Sequence, residues 1–301
     1  MTDQLSTEQP SADALVPTDV ARRLEAANVK RAALPLRSLI VLGVLGGIYI
    51  AFGGALATLA ITDTSLGFGL GRLAAGVAFS LGLILLVIAG GELFTGNNLM
   101  IVALASGKVS WRCVWRNWTV AYASNAAGAL LLAFTIHHTG ILDSGGVRAT
   151  AAGIAEAKTQ LGVVPAFLRG VLCNMLVCLA VWLSMAARSV EGKVMAIVFP
   201  IGAFVALGFE HCVANLYLLP VGMLSGANVT LAGFLGNIVP VTLGNTVGGA
   251  GLAAAYWLVY LSDGSTAQAR LQAWLRRIGE LVRSTCGQTA AAARAAIARM
   301  L

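Results

Sequence analysis

Apolar and polar positions alternate along the chain in long blocks, and the block lengths predict helices that cross a lipid bilayer. Apolar runs extend over about 38–61, 72–106, 117–136, 163–187, 194–225 and 228–261. About 20 apolar residues cross a bilayer's hydrocarbon core, so the second and fifth runs are too long for one straight span. Each of these two carries polar, helix-breaking residues in its second half: "GGELFTGNNLM" at 90–100 and "GFEHCVANLYL" at 208–218. Outside the runs, 1–16 reads as disordered. The segment from Pro17 to Leu34 reads as a short helix capped by Thr18, with apolar spacing suited to a membrane surface. A polar stretch, about 137–162, separates the third and fourth runs. From Ala267 onward, Leu271, Trp274, Leu275, Ile278, Leu281 and Val282 share one face, with Arg270, Arg276, Arg277 and Arg283 elsewhere. That pattern predicts a basic amphipathic helix on a membrane surface. The chain therefore divides into a tail and surface helix (1–35), a six-span domain (36–262) and a basic tail (263–301).

The two odd stretches match each other. "ELFTGN" runs from Glu92 to Asn97 and "EHCVAN" from Glu210 to Asn215, each with Glu and Asn five apart inside the second span of a three-span set. The third spans agree as well: Asn117 and Asn125 are eight apart, as are Asn237 and Asn245, at an offset of about 120 residues. With three spans per copy, the second copy enters the membrane from the opposite side, and such inverted repeats mark transporters and channels. In lipid, non-helical backbone survives only where it faces protein or a water-filled path. Two matched breaks related by a two-fold axis therefore predict one central path flanked by half-helix N-termini with partial positive charge and unpaired N–H groups.

Composition supports the membrane reading. The chain is 58% hydrophobic and 11% charged, with a mean hydropathy of +0.82, against roughly 25% charged residues in soluble domains. The 35 glycines suit close helix packing in lipid. The net charge of +7 does not indicate a nucleic-acid partner, because the basic residues sit in loops and tails. Arg22, Arg23, Lys30, Arg31, Arg37, Lys108, Arg112, Arg116, Arg188, Lys193 and the tail arginines fall on one side. The positive-inside rule then places both termini in the cytoplasm. Arg72, Arg148, Lys158 and Arg169 are the exceptions on the other side. The five cysteines show no disulfide or metal spacing, and no cofactor or metal is expected. No secretory signal is present in the polar first 35 residues.

His211 is the lone histidine in a predicted span. An ionisable group is costly in lipid, so it is read as functional. Glu92 and Glu210, with Asn97 and Asn215, are read as anchors that hold the broken loops through backbone N–H groups.

At "ELFTGN", "AKTQL" around Lys158, "FLRGVLCNMLVCLAVWLS" (167–184), "GFEHCVANLYL" and "LGNTVGGA" (243–250), the chain resembles the formate/nitrite transporter family over about 30–262. The resemblance implies an aquaporin-like six-span all-α fold with the second and fifth helices broken, assembled as a homopentamer with one pore per protomer. It implies that His211 is the central pore histidine, Thr95 its partner on the first broken loop and Lys158 the lysine of the outer vestibule, with Asn174 and Asn245 as pore-associated polar residues. Leu93 and Phe94 would form an inner apolar constriction, and Phe79, Leu83 and Phe204 an outer one. The implied substrate is the small monovalent anion of a weak acid, and the implied location is the bacterial inner membrane. "TGNNLM" resembles formate-type members, whereas "EHCVANLYL" and "LVCLAVW" resemble nitrite-type ones. Formate is the first reading, with nitrite or hydrosulfide as the alternative.

The chemistry follows from charge. Lys158 and the half-helix dipoles draw the anion in, and the apolar constriction stops it, because a bare charge in a low dielectric is expensive. Protonation to the neutral acid removes that barrier, with the proton coming from water or from His211 through a Thr95–His211 relay. A relay through the ring would make pH-dependent uptake sensitive to His211→Asn. Three other readings are weaker. A neutral-solute channel of aquaporin type would carry paired Asn-Pro-Ala loops, and the chain has none. An intramembrane metalloprotease needs two histidines at helical spacing, and a plain membrane anchor has no use for matched breaks.

Overall fold

The computed structural model describes residues 14–63 and 65–262. The basic helix expected from Ala267 onward lies outside them. Among the described residues every regular element is helical: α1 (Pro17–Ala32), α2 (Leu36–Ala60), α3 (Gly67–Leu85), α4 (Phe94–Asn97), α5 (Ile101–Ala105), α6 (Trp111–His138), α7 (Val147–Thr159), α8 (Val163–Ala186), α9 (Val190–Ala206), α10 (Cys212–Leu224) and α11 (Leu231–Tyr260). Five stretches are long and apolar enough to cross a membrane: α2, α3 with its extension to Gly90, α6, α8 and α11. The remaining crossing is the broken pair α9 and α10.

Both breaks fall in the predicted stretches, and in both the helix stops, passes through extended backbone and restarts. A π-helical turn, Leu86–Gly90, ends the first half of the second span. Gly91 and Leu93 are extended, and the chain restarts as α4, a 3₁₀ turn (Asn98–Met100) and α5. In the second copy, α9 ends at Ala206, His211 is extended, and α10 starts at Cys212. Gly90 and Gly208, each two residues before the carboxylate, take φ of +94° and +73°. A side chain is strained in that region, so glycine at these two points lets the helix leave its axis.

The spans pack through glycine. A Cβ on Gly128 of α6 would stand 2.0 Å from the Val44 carbonyl of α2, and one on Gly248 of α11 would stand 2.1 Å from the Val171 carbonyl of α8. The two copies thus use the same backbone-to-backbone contact between their first and third spans. Between the copies, α3 meets α9 where a Cβ on Gly76 would lie 2.5 Å from the Gly202 carbonyl. Close approach of this kind gives van der Waals contact where lipid offers no hydrophobic driving force.

Two elements differ from the sequence expectation. The segment 137–162 is not only a polar connection: it holds α7, whose Val147, Ala151 and Ala155 are buried against α10. A Cβ on Gly222 would lie 2.3 Å from Ala155 Cβ. This helix is the counterpart of α1, so each copy begins with a short helix at the end of the bundle. In α1 the N-cap is Val16 with Pro17 at the first position, and Thr18 makes no cap bond. Proline's fixed φ and missing N–H suit that place. The apolar face of α1 is also turned to protein rather than left for lipid. Val20, Ala21 and Leu24 are buried with Leu99, Val102, Cys178, Trp182 and Ala253.

Candidate functional site at the two helix breaks

Each break is held by the same set of side chains. In the first, Asn125 of α6 donates from Nδ2 to the carbonyls of Gly43 (2.7 Å) and Glu92 (2.8 Å), and its Oδ1 accepts from the Phe94 N–H (2.9 Å). In the second, Asn245 of α11 donates to the carbonyls of Gly170 (2.8 Å) and Glu210 (2.9 Å), and accepts from the Cys212 N–H (2.8 Å). Phe94 and Cys212 are the first residues of the restarting helices. Their N–H groups, expected to be unpaired, are therefore taken up by asparagine.

The carboxylates are held by side chains as well, not by backbone N–H groups. Glu92 accepts from Asn97 Nδ2 (2.7 Å) and from Arg31 Nε (3.0 Å), and Asn97 also donates to Asn117 Oδ1 (2.7 Å). Glu210 accepts from Asn215 Nδ2 (2.7 Å) and Lys158 Nζ (2.8 Å), and Asn215 donates to Asn237 Oδ1 (2.7 Å). Arg31 sits on α1 and Lys158 on α7, so the two short helices supply matching cations to matching carboxylates. Arg31 falls among the basic residues that the positive-inside pattern accounts for, and nothing in its sequence surroundings separates it from them.

Thr95 and His211 meet where the two breaks face each other, with Thr95 Oγ1 and His211 Nε2 3.0 Å apart. His211 is the N-cap of α10, and its Nδ1 accepts from the Ala214 N–H at 3.0 Å. A ring nitrogen that accepts carries no proton, so the neutral imidazole holds its proton on Nε2 and donates to Thr95 Oγ1. Asn174 of α8 closes the group. Its Nδ2 lies within hydrogen-bond distance of the Asn245 carbonyl (2.7 Å), Asn98 Oδ1 (2.8 Å) and the Thr95 carbonyl (3.2 Å). Thr95, Asn174 and Asn245 have no exposed surface and His211 is 2% exposed. Asn98, which the sequence reading passes over, is fully buried with its Nδ2 unpartnered.

A cavity of about 250 Å³ opens from the α7 end of the bundle down to His211, with Phe79, Phe204, Lys158 and Glu210 in its wall. Phe79 and Phe204 meet edge to face at 5.5 Å, and Phe204 stacks on the His211 ring at 6.0 Å. Leu83, Leu93 and Phe94 do not line this cavity and are buried in the same apolar cluster as Phe79 and Phe204. Phe94 is braced edge to face by Tyr122 (5.0 Å) and Trp118 (6.3 Å). The arrangement is a polar centre packed against buried apolar side chains, with a cavity reaching it from one side.

A helical membrane bundle built from an inverted repeat, with a buried polar centre where two broken spans meet, defines a channel or transporter. Comparison with known proteins identifies which kind. The family model for the formate/nitrite transporter matches residues 18–259, and the chain belongs to that family. It is 40% identical to a probable formate transporter of Methanothermobacter thermautotrophicus over 267 residues, covering 82% of this chain and 97% of the relative. It is 33% identical to the formate channel FocA of Escherichia coli K12 over 274 residues, covering 83% and 96%. Among solved structures, a pentameric formate channel with formate bound superposes with a TM-score of 0.70 at 39% identity, over 75% of this chain and 98% of that one. An FNT family ion channel superposes with a TM-score of 0.74 at 29% identity, over 80% and 98%. The fold is the aquaporin-like one of that family.

Proposed function

We propose that this protein conducts formate, the anion of a weak acid, across the bacterial inner membrane, with both termini in the cytoplasm and the α7 end outside. The observation that carries the reading is the Thr95–His211 contact between the two breaks, with Phe79 and Phe204 beside His211 in the cavity wall; on this reading Phe79, Leu83 and Phe204 form the outer constriction and Leu93 and Phe94 the inner one. The formate-channel names of several relatives support the choice of anion. Asn174 and Asn245 complete the pathway, Lys158 stands in the cavity wall with its charge paired to Glu210 rather than free to draw the anion, and Glu92, Glu210, Asn97 and Asn215 hold its two loops.

His211 commits Nδ1 to the Ala214 N–H, which favours water in the vestibule as the source of the proton. The ring then acts as an Nε2–H donor that offers the passing acid a hydrogen bond in place of the one to Thr95. Formate takes a proton in the vestibule, crosses the apolar floor as the neutral acid and is handed past Thr95. Uptake should therefore rise as external pH falls, because the protonated fraction grows. The test is formate uptake into vesicles containing purified protein, at two external pH values. His211→Asn retains a donor and should retain the pH dependence, whereas His211→Phe should lose most of the flux. Uptake by His211→Asn that no longer responds to pH would place the proton on the ring and overturn this route.

The assembly is a homopentamer with one pore in each protomer. The solved pentameric relative supports this. A mass measurement in detergent should give five copies, and a monomer or trimer would count against it.

A further inference from the structure

We propose that Arg72 and Arg169 form an anion-capture site at the mouth of the vestibule, on which the approaching carboxylate is held before it reaches His211. The inference rests on the anion-channel reading above and assigns its first binding step. Lys158 is spent on Glu210 at 2.8 Å, so that pair contributes no net charge to the cavity. The other charged side chains of the wall are Arg72 and Arg169. Among the described residues neither has a carboxylate within ion-pairing distance. The two net positive charges of the vestibule therefore reside in these guanidinium groups.

The groups also converge. Gly208 lies between them at the left-handed turn that starts the second break. A Cβ built there would stand 2.6 Å from Arg72 Nη2 and 4.0 Å from Arg169 Nη1. Arg72 comes from α3 and donates to the carbonyls of Ala206 (2.8 Å) and Val205 (3.4 Å), which end α9. Arg169 comes from α8 and donates to the Gly208 carbonyl at 3.5 Å. These bonds fix both side chains yet use only part of the five N–H donors each guanidinium carries. Two like charges held close together repel, and an anion between them removes that repulsion. The planar fork of a guanidinium matches the two oxygens of a small carboxylate or of nitrite. Glycine at 208 keeps the space between the arginines clear. Arg72 is half-buried and Arg169 is exposed, so the pair reaches from the outside solution into the cavity.

Two measurements test the site. Formate uptake by vesicles is followed against concentration, at low and high ionic strength, for wild type, Arg72→Gln, Arg169→Gln and the double variant. Glutamine keeps a donor for the helix-end carbonyls and removes the charge. The half-saturating concentration should rise about tenfold or more in the double variant with the maximal rate kept, and its dependence on salt should flatten. An assembled double variant with wild-type half-saturation and salt dependence overturns the proposal. The second measurement needs no variant. Wild-type vesicles are treated with phenylglyoxal with and without formate, and modification of each arginine is read by peptide mass spectrometry. Formate should protect Arg72 and Arg169 together. Equal modification at formate concentrations that saturate uptake overturns the site even where a glutamine variant fails to assemble. Wild-type vesicles that take up no formate would defeat the functional reading instead, and protection by nitrite would still decide the site.

Discussion

Lys158→Ala is expected to destabilise the assembled protein by about 3–5 kcal/mol, the cost of leaving one member of a buried ion pair without its partner. Glu210 keeps only 4% of its side-chain surface and Lys158 16%. With the lysine gone, the carboxylate keeps its two asparagine donors, Asn215 and Asn237, but its charge is uncompensated in an apolar surround. Glu210→Gln in the same chain should recover much of the loss, because glutamine accepts from the same asparagines without a charge. The equivalent pair at the other end gives the internal control. Arg31 is 22% exposed and Glu92 8%, so water screens that pair more and Arg31→Ala should cost less. Thermal unfolding of the purified assembly measures all three variants. If Lys158→Ala unfolds at the wild-type temperature, or if adding Glu210→Gln lowers it further, the pair is not what holds the second break.

These pairs mark where sequence reading succeeds and where it stops. The breaks are legible because glycines, a carboxylate and asparagines interrupt apolar runs, and lipid tolerates such residues only for a reason. The repeat is legible because Glu and Asn recur at the same spacing and the same span. Arg31 is not, because positive charge at the end of a first span already has an explanation in topology. The helix α7 is hidden by its composition: Ala151 and Ala155 bury a face too weakly apolar to stand out in a polar stretch. The loop-holding roles of Asn125 and Asn245 show only as a matched interval, since what they bind depends on how closely α2 meets α6 and α8 meets α11. The same closeness turns the carboxylates toward side-chain amides, a choice that residue spacing alone does not determine.

Asn245→Leu should prevent assembly of a stable channel, and Asn125→Leu should do the same to a similar degree. Each asparagine is fully buried and makes three hydrogen bonds to backbone, one at the start of a restarting helix and two across to neighbouring segments. Leucine fills nearly the same volume but leaves the N–H of the restarting helix and the loop carbonyl of Glu92 or Glu210 without these partners, and takes a second bond from a helical carbonyl that keeps its intrahelical one. Each unsatisfied group buried away from water costs about 1–3 kcal/mol, so the combined loss is on the order of several kcal/mol, a large share of the stability of any one domain. Thr95→Val is the comparison, since it removes a single hydroxyl bonded to His211 and keeps the shape. It should assemble normally and change flux more than stability. The measurement is the yield and unfolding temperature of the detergent-solubilised assembly. The pseudo-two-fold relation makes the prediction sharper than either variant alone, because equal bonding at the two breaks implies equal losses. A stable Asn245→Leu assembly would mean that the second break is held by Lys158 and Glu210 without the asparagine. A large loss in one variant and none in the other would show that the matched bonds do not carry matched weight.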